Sequence, residues 1–319
     1  MIAARRPVRW WPRGEAERER FGERPGVTSS LLAPAKVNLF LHVGAIEADG
    51  RHPLCSLMVF ADIGDRLMAQ PGAGLELGIE GLFGAGLTAG ADNLVMRAAV
   101  ALLARVGAAD APIRLVLDKG LPLAAGLGGG SSDAGAALRL LRQELALDLD
   151  DAALEAVAGE LGADGPACLH TRPVIAEGRG ERLGPAPGLP TLDAVLVNPG
   201  VDSPTGAVYR AFDEAGGSSR PDCPPLPAAF GDVRGLAAFL AQCRNDLEAP
   251  AVSLNPVVGE VLRTLARQPE CLLARVSGSG ATCFALCADG GQAESLAQRV
   301  QSLRPDWWVR RCRLGGPWE

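Results

Sequence analysis

Four glycines precede two serines and a helical pattern near the middle of the chain, and this feature constrains the fold most. Residues 122 to 132 read Pro-Leu-Ala-Ala-Gly-Leu-Gly-Gly-Gly-Ser-Ser. Apolar residues then recur at three- and four-residue spacing, as on one face of a helix: Ala134, Ala137, Leu138, Leu141 and Leu145. Glycine lets backbone N–H groups approach a ligand, and the first turn of a helix leaves such groups unpaired with partial positive charge. The pattern therefore predicts an anion site suited to a polyphosphate.

Other interpretations of this segment fit less well. A flexible turn with Ser131 as a helix N-cap needs one or two glycines, whereas this segment has four. A Walker A loop would continue with Gly-Lys-Ser or Gly-Lys-Thr, which this chain lacks here. The dinucleotide-binding fingerprint would place its third glycine at position 131, which is serine.

Composition limits the class of protein. The 319 residues are 48% hydrophobic, and this length favours two domains, which we place at 30–190 and 191–319. We interpret residues 1–29 as a disordered extension, or as a product of a misplaced start codon. The net charge of −6 argues against a nucleic-acid partner, and no apolar run reaches the length of a membrane span. We expect a cytoplasmic protein with a small-molecule substrate, as a monomer or weak homodimer.

Cysteine spacing argues against a zinc site. The eight cysteines form no C-x-x-C pair, and the three histidines lie far apart. A disulfide framework is not indicated either, so we expect mostly buried, reduced cysteines.

Two lysines stand out because the other 29 of the 31 basic residues (31 − 2) are arginine. A compact ammonium can fill roles that the planar guanidinium fork cannot. We interpret Lys119, at a strand end, as a chance survivor. Lys36 shares one face of an alternating strand with Asn38, which argues for a role. The best candidate for a base is Asp164 in a Gly-Ala-Asp-Gly-Pro turn, although spacing alone fits an ordinary turn aspartate, and Asp49 and Asp62 compete.

Periodicity predicts an α+β fold rather than a doubly wound sheet. In the first half we expect strands over 31–43, 57–61, 66–69 and 113–117, with helices over 93–106, after the glycine loop and over 151–161. The second half carries predicted strands at 194–198, 283–287 and 307–309. Its predicted helices cover 205–215, 236–242, 256–267 and 292–303, and a second glycine-rich loop covers 275–282. This alternation fits a ferredoxin-like domain.

These motifs together resemble the GHMP kinases. Residues 122–132 look like the ATP loop of that family, and 277–282 resemble its C-terminal glycine motif. Further matching stretches follow in order at 33–39, 48–52, 92–94, 161–164 and 198–201. The resemblance implies two domains, the first like domain 2 of ribosomal protein S5 and the second ferredoxin-like, with ATP and substrate between them. It is closer to the branch that phosphorylates the 2-hydroxyl of 4-diphosphocytidyl-2-C-methyl-D-erythritol in non-mevalonate isoprenoid precursor biosynthesis.

The resemblance also implies site residues. Lys36 and Asp164 would be the catalytic pair, with Asp164 accepting the hydroxyl proton, and Asn38, His52 and Tyr209 would bind the cytidine substrate. ATP, with Mg²⁺ as its counter-ion and no direct metal ligand from the protein, would bind at Pro122, Leu123, Ala124, Ala125, Gly126, Leu127, Gly128, Gly129, Gly130, Ser131 and Ser132.

The chain departs from the branch in two places. It has Arg51 where the branch usually has an aromatic residue, and Ala-Asp-Gly-Pro where it has Ala-Asp-Val-Pro. The alternatives are another small-molecule kinase of the homoserine or mevalonate type and a non-catalytic nucleotide-binding regulator. The Lys36/His52 pair and the Asp164 turn argue against a homoserine kinase. The regulator would need no base.

Overall fold

The strands of the protein form one continuous sheet. The structure, a computed structural model, describes residues 29–217 and 221–318. Apart from Ser29, the extension expected at 1–29 therefore lies outside the described residues. The strands are β1 (Ser29–Val43), β2 (Leu54–Pro71), β3 (Glu76–Glu80), β4 (Ile113–Asp118), β5 (Val174–Gly178), β6 (Arg182–Pro185), β7 (Leu192–Asn198), β8 (Leu273–Val276), β9 (Cys283–Cys287) and β10 (Trp308–Gly315). Their main order is β3-β4-β2-β10-β7-β9-β8, while β1 and β5 pair with β2 and β6 pairs with β5.

A single long strand, β2, replaces the two short strands expected at 57–61 and 66–69. It pairs antiparallel with β1 along nearly its whole length, from Leu54 to Ala69. At Gly64 the backbone of β2 lies close to that of β1, because a Cβ there would be 2.1 Å from the carbonyl oxygen of Ala33. The glycine therefore allows this close pairing at a position where the sequence pattern alone suggests a break.

Helices cover one face of the sheet in the first half. They are α1 (Leu94–Arg105), α2 (Gly129–Glu144), α3 (Asp151–Leu161) and α4 (Gly165–His170). A hydrophobic core joins α1, α2 and α3 to β4. The helix α4 was not predicted, because Gly162 to Pro166 suggested a break. Pro166 instead occupies the first turn of α4, where a missing N–H costs no hydrogen bond.

The second half contains the ferredoxin-like arrangement that the sequence predicted. Its helices are α5 (Thr205–Glu214), α6 (Val233–Leu240), α7 (Glu248–Leu254), α8 (Pro256–Ala266) and α9 (Gly290–Leu303). The strands β7 to β10 stand in the order β10-β7-β9-β8, that is 4-1-3-2 counted along the chain. Residues of α8 and α9 pack on these strands in one hydrophobic core, which completes the βαββαβ pattern.

The expectation of reduced cysteines is wrong for one pair. Cys55 on β2 forms a disulfide with Cys223, with Cα atoms 5.4 Å apart. The two residues are 168 positions apart in the chain, so their meeting depends on tertiary structure that spacing does not encode. The six other cysteines are free, and all but Cys271 are buried.

No helix among the described residues is both long and apolar enough to cross a bilayer.

Candidate active site

A cavity of about 630 Å³ lies where the two glycine-rich loops meet β1. This volume is typical of a site for a small ligand. Residues 122 to 131 line it, as the sequence predicted for a ligand loop, whereas Ser132 is fully buried and does not line it. Among the other residues that line the cavity are Lys36, Asn38, Asp92, Asn93, Lys119, Asp133, Asp164, Arg179, Tyr209, Gly278 and Ser279.

Three glycines of the first loop lie so close to other parts of the protein that a side chain would not fit. Gly126 has φ +73°, and a Cβ there would lie 2.2 Å from the carbonyl oxygen of Ser277 in the second loop. Gly128 has φ +61° and faces the side chain of Lys36, whose Cε would be 3.1 Å from an added Cβ. At Gly129 an added Cβ would meet Nζ of Lys119 at 3.0 Å. These positions stay free of a Cβ because other parts of the chain fill the space.

Hydrogen bonds join the two loops into one structural unit. The hydroxyl of Ser277 donates to the carbonyl oxygen of Gly126 at 3.0 Å. The backbone N–H of Thr282 donates to the carbonyl oxygen of Ala125 at 3.1 Å. The rest of the first loop passes directly into α2, whose N-cap is Gly128. The unpaired N–H groups of the first turn of α2 therefore lie at the cavity, with the partial positive charge of the helix end.

Lys36 and Asp164 meet at this cavity. Nζ of Lys36 lies 2.9 Å from Oδ2 of Asp164 and donates to Oδ1 of Asn38 at 3.0 Å. The amide group of Asn38 donates in turn to Ser56 Oγ at 2.7 Å, which fixes its orientation. Lys36 is buried, but the side chain of Asp164 is 34% exposed. A bound molecule can therefore reach the carboxylate of Asp164.

The competing aspartates have other partners. Asp62 accepts a hydrogen bond from Nε of Arg313 at 3.0 Å and does not line the cavity. Asp49 forms an ion pair with Arg179. Of the three acidic candidates, only Asp164 joins Lys36.

An aromatic group forms part of the cavity wall. The ring of Tyr209 lies 4.9 Å from that of His52, centroid to centroid, and His52 Nδ1 donates to the carbonyl oxygen of Gly44 at 2.9 Å. Burial raises the pKa of Tyr209 to about 12, so its phenol is neutral. Tyr209 lines the cavity, whereas His52 packs behind it. Asn38 lies apart from this pair, beside Lys36.

Arg179 contributes a guanidinium to the cavity wall. Arg51 occupies the position at which the kinase branch named above usually has an aromatic residue. It is exposed and does not line the cavity. Arg179 does line it, held by its ion pair with Asp49. Sequence reasoning did not single out Arg179, because its place at the cavity depends on the turn after β5.

Sequence reasoning also missed a buried cluster under the first loop. Lys119, interpreted above as a chance survivor, pairs with Asp65 and, at 2.7 Å, with Oδ2 of Asp133. Oδ1 of Asp65 accepts hydrogen bonds from the backbone N–H groups of Gly120 and Leu121, at 2.7 and 2.8 Å. Burial lowers the pKa of Lys119, but the charges of Asp133 and Asp65 outweigh it and the net shift is upward. The scarcity of lysine was therefore informative at both positions.

Asp133 is the least well compensated member of this cluster. Burial raises the pKa of Asp133 well above its usual range, and the nearby ammonium of Lys119 only partly opposes that shift. No group of three or more His, Cys, Asp or Glu suited to a metal ion occurs in the part of the chain that the structure describes.

Comparison with known proteins gives one consistent result. The family model for the GHMP kinases N terminal domain matches residues 93–172, and that for the GHMP kinases C terminal matches residues 228–305. The 4-diphosphocytidyl-2-C-methyl-D-erythritol kinase of a Caulobacter species is 61% identical over 90% of this chain and 98% of its own length. That of Hyphomonas neptunium is 49% identical over 89% of this chain and 95% of its own length.

Solved structures agree. A crystal structure of 4-(cytidine 5'-diphospho)-2C-methyl-D-erythritol kinase superposes with a TM-score of 0.71 and 35% identity, covering 91% of this chain and all of that one. Homoserine kinase from Cytophaga hutchinsonii superposes with a TM-score of 0.65 over 92% of this chain and 96% of its own. Its identity of 18% shows a common fold only.

Proposed function

The chain belongs to the GHMP kinases, in the family of 4-diphosphocytidyl-2-C-methyl-D-erythritol kinases, and from this membership we propose its reaction and the role of each residue. It is an ATP-dependent small-molecule kinase. The reaction is transfer of the γ-phosphoryl group of ATP to the 2-hydroxyl of 4-diphosphocytidyl-2-C-methyl-D-erythritol, a step in isoprenoid precursor biosynthesis by the non-mevalonate route.

The observation that carries this proposal is the Lys36–Asp164 contact of 2.9 Å beside the glycine loop. Phosphoryl transfer requires a base for the acceptor hydroxyl and positive charge around the moving phosphoryl group. Asp164 is the base in this scheme, because its carboxylate is accessible from the cavity and is not bound by an arginine. Lys36 holds Oδ2 of Asp164 and leaves Oδ1 to take the proton of the 2-hydroxyl. The Lys36 ammonium also opposes the negative charge of the incoming phosphoryl group.

The nucleotide phosphates bind, in the same scheme, at residues 122 to 131. Backbone N–H groups at the start of α2 donate to phosphate oxygens there, and the helix end adds partial positive charge. The structural support is that these residues line the cavity on the side next to Lys36.

The cytidine end of the substrate binds against Tyr209. A buried aromatic ring at the cavity wall offers a surface on which a base can stack. His52 supports that ring from behind at 4.9 Å. Arg179 adds a guanidinium to the cavity wall, and in this scheme it contacts the diphosphate or the other face of the base.

Mg²⁺ fits the site as the counter-ion of ATP. This ion usually keeps several waters and binds through substrate phosphates and one or two carboxylates rather than a full protein cage. Oxygen donors on the cavity wall include the hydroxyl of Ser131 and the carboxylate of Asp133. The ion would neutralise charge on the phosphates.

Three further expectations stay proposals. The domain division falls at residues 190 and 191, the protein is a monomer or weak homodimer, and it acts in the cytoplasm without nucleic-acid or membrane partners.

A substrate panel tests the proposed function. The purified chain is incubated with γ-labelled ATP and one alcohol at a time: 4-diphosphocytidyl-2-C-methyl-D-erythritol, mevalonate or homoserine. We expect label transfer to the cytidine compound only, and transfer slower by about 10²-fold or more with Asp164→Asn. Label transfer to homoserine or mevalonate would contradict the proposed substrate and would show that the chain has the activity of another GHMP kinase. Nucleotide binding without transfer to any alcohol would indicate the non-catalytic regulator.

A further inference from the structure

One carboxylate oxygen at the cavity lacks the partner that a buried polar atom normally has. The side chain of Asp133 is only 3% exposed, and its Oδ2 accepts from Nζ of Lys119 at 2.7 Å. Within residues 29–217 and 221–318, its Oδ1 has no hydrogen-bond partner. Asp133 nevertheless lines the cavity, together with Lys119 and Gly129. Such an atom needs a partner from outside the protein, because an unsatisfied buried oxygen is costly.

The charges of the cluster indicate what kind of partner is missing. Asp65 is satisfied within the protein, because Oδ1 accepts two backbone N–H groups and Oδ2 pairs with Lys119. The ammonium of Lys119 and the carboxylate of Asp65 cancel. When it is ionised, the carboxylate of Asp133 carries a negative charge that no other member of this cluster compensates, and a cation is the ligand that would compensate it.

The position of this oxygen relates it to the phosphates of the nucleotide. Helical side chains point back toward the helix N-terminus, so a residue in the second turn of α2 reaches its first turn. Lys119 Nζ, bonded to Asp133, lies 3.0 Å from the place that a Cβ on Gly129 would take. The carboxylate thus lies alongside the first-turn residues at which we place the phosphates.

We propose that Oδ1 of Asp133 binds the divalent cation that accompanies ATP. The inference rests on the proposed function, since the ion arrives with the nucleotide. It departs from the sequence-based expectation that no residue of the chain ligates metal. One carboxylate plus phosphate oxygens and water is the donor set that Mg²⁺ prefers.

Mn²⁺ provides the probe, because its free form is measured directly by electron paramagnetic resonance. Mn²⁺ is titrated into the protein saturated with a non-hydrolysable ATP analogue, and into the variants Asp133→Asn and Asp92→Asn. Asp92 is the matched control, since it is an exposed carboxylate on the wall of the same cavity. We expect Asp133→Asn to weaken Mn²⁺ binding by at least about 10-fold, the lower end of what lost metal-site contacts cost. Asp92→Asn should leave Mn²⁺ binding unchanged.

Nucleotide affinity, measured with Mn²⁺ and again in EDTA, separates this inference from the proposed function. In EDTA, Asp133→Asn should bind the analogue at least as tightly as the wild type, because the variant lacks the carboxylate charge beside the phosphates. If the analogue does not bind the wild-type protein even with Mn²⁺ present, the proposed ATP site is wrong and the inference is lost with it. If the analogue binds but Asp133→Asn holds Mn²⁺ as tightly as wild type, the inference alone is overturned.

A second measurement needs no variant and covers the case in which Asp133→Asn fails to fold. Crystals of the wild-type protein with Mn²⁺ and the analogue are measured for anomalous scattering. A peak about 2.1 Å from Oδ1 of Asp133 supports the assignment. A peak that contacts only phosphate and water overturns it.

Discussion

Replacing Gly126 by alanine tests whether the two glycine loops depend on each other. An added Cβ would lie 2.2 Å from the carbonyl oxygen of Ser277, whereas ordinary contact begins at 3.4 Å. The loops must then separate by about 1.2 Å (3.4 − 2.2). If the loops move apart in the direction of the 3.0 Å hydrogen bond from Ser277 Oγ to Gly126 O, the distance between these two atoms becomes about 4.2 Å (3.0 + 1.2). That distance is too long for a hydrogen bond.

Two costs contribute to the expected loss of stability. An alanine at φ +73° costs about 1–2 kcal/mol of backbone free energy. Overpacking against a rigid backbone costs typically about 1–3 kcal/mol. The sum is about 2–5 kcal/mol. At roughly 2–4 °C per kcal/mol for a chain of a few hundred residues, Tm should fall by about 4–20 °C.

Gly200→Ala is the matched control for the backbone cost. Gly200 has φ +77°, and nothing lies within 4 Å of an added Cβ, so its alanine variant should lose only the backbone part, about 1–2 kcal/mol. Thermal unfolding compares the stability of the two variants, and calorimetry compares their affinity for an ATP analogue. Equal stability of Gly126→Ala and Gly200→Ala, with nucleotide affinity unchanged in both, would refute the coupling of the loops.

Four substitutions test the remaining assignments. Asp164→Asn should lower kcat on the order of 10²–10⁴-fold and retain ATP binding, as for loss of a general base; steady-state kinetics near wild type would remove Asp164 from the mechanism. Lys36→Arg should impair turnover severely, because a planar fork replaces a compact ammonium on a side chain whose Cε lies 3.1 Å from the Cβ position of Gly128, and wild-type kinetics would make the lysine incidental. Tyr209→Ala should raise the KM of the cytidine substrate about 5- to 150-fold, equivalent to roughly 1–3 kcal/mol of stacking, with the KM of ATP unaltered; an unchanged substrate KM in a folded variant would leave Tyr209 as a packing residue. Cys223→Ser should lower Tm under oxidising conditions by removing a stabilisation of about 2–4 kcal/mol. Reductant should lower the Tm of the wild type to that of the variant, and a wild-type Tm that does not respond to reductant would show that the disulfide does not form.

Local patterns in the sequence predicted the parts of the site that local geometry determines. The glycine loop and α2 adjoin in the chain, so their pattern gave the cavity wall and the start of the helix. Alternation along β1 placed Lys36 and Asn38 on one face, where they share a hydrogen bond of 3.0 Å. The pairing of Lys36 with Asp164 came from the family resemblance, because spacing alone left Asp49 and Asp62 open.

The features that were missed depend on residues far apart in sequence. Lys119 meets Asp65 across 54 positions, and Cys55 meets Cys223 across 168. The neighbour that requires glycine at position 126 is Ser277, 151 positions later. No periodicity within one segment can report such contacts, because each is created by packing between elements.

The place of β10 in the sheet has a consequence for how the chain acquires its structure during synthesis. β10 lies between β2 and β7, pairing with β7 from Trp308 to Leu314 and with β2 at Leu314 and Gly315. A ribosome releases the chain from its N-terminus, so β10 emerges after the nine other described strands. Until β10 is added, the facing edges of β2 and β7 carry unpaired backbone groups that another chain could join. The nascent protein is therefore open to aggregation at these two edges until β10 joins the sheet, and chaperones that shield strand edges would act in that interval.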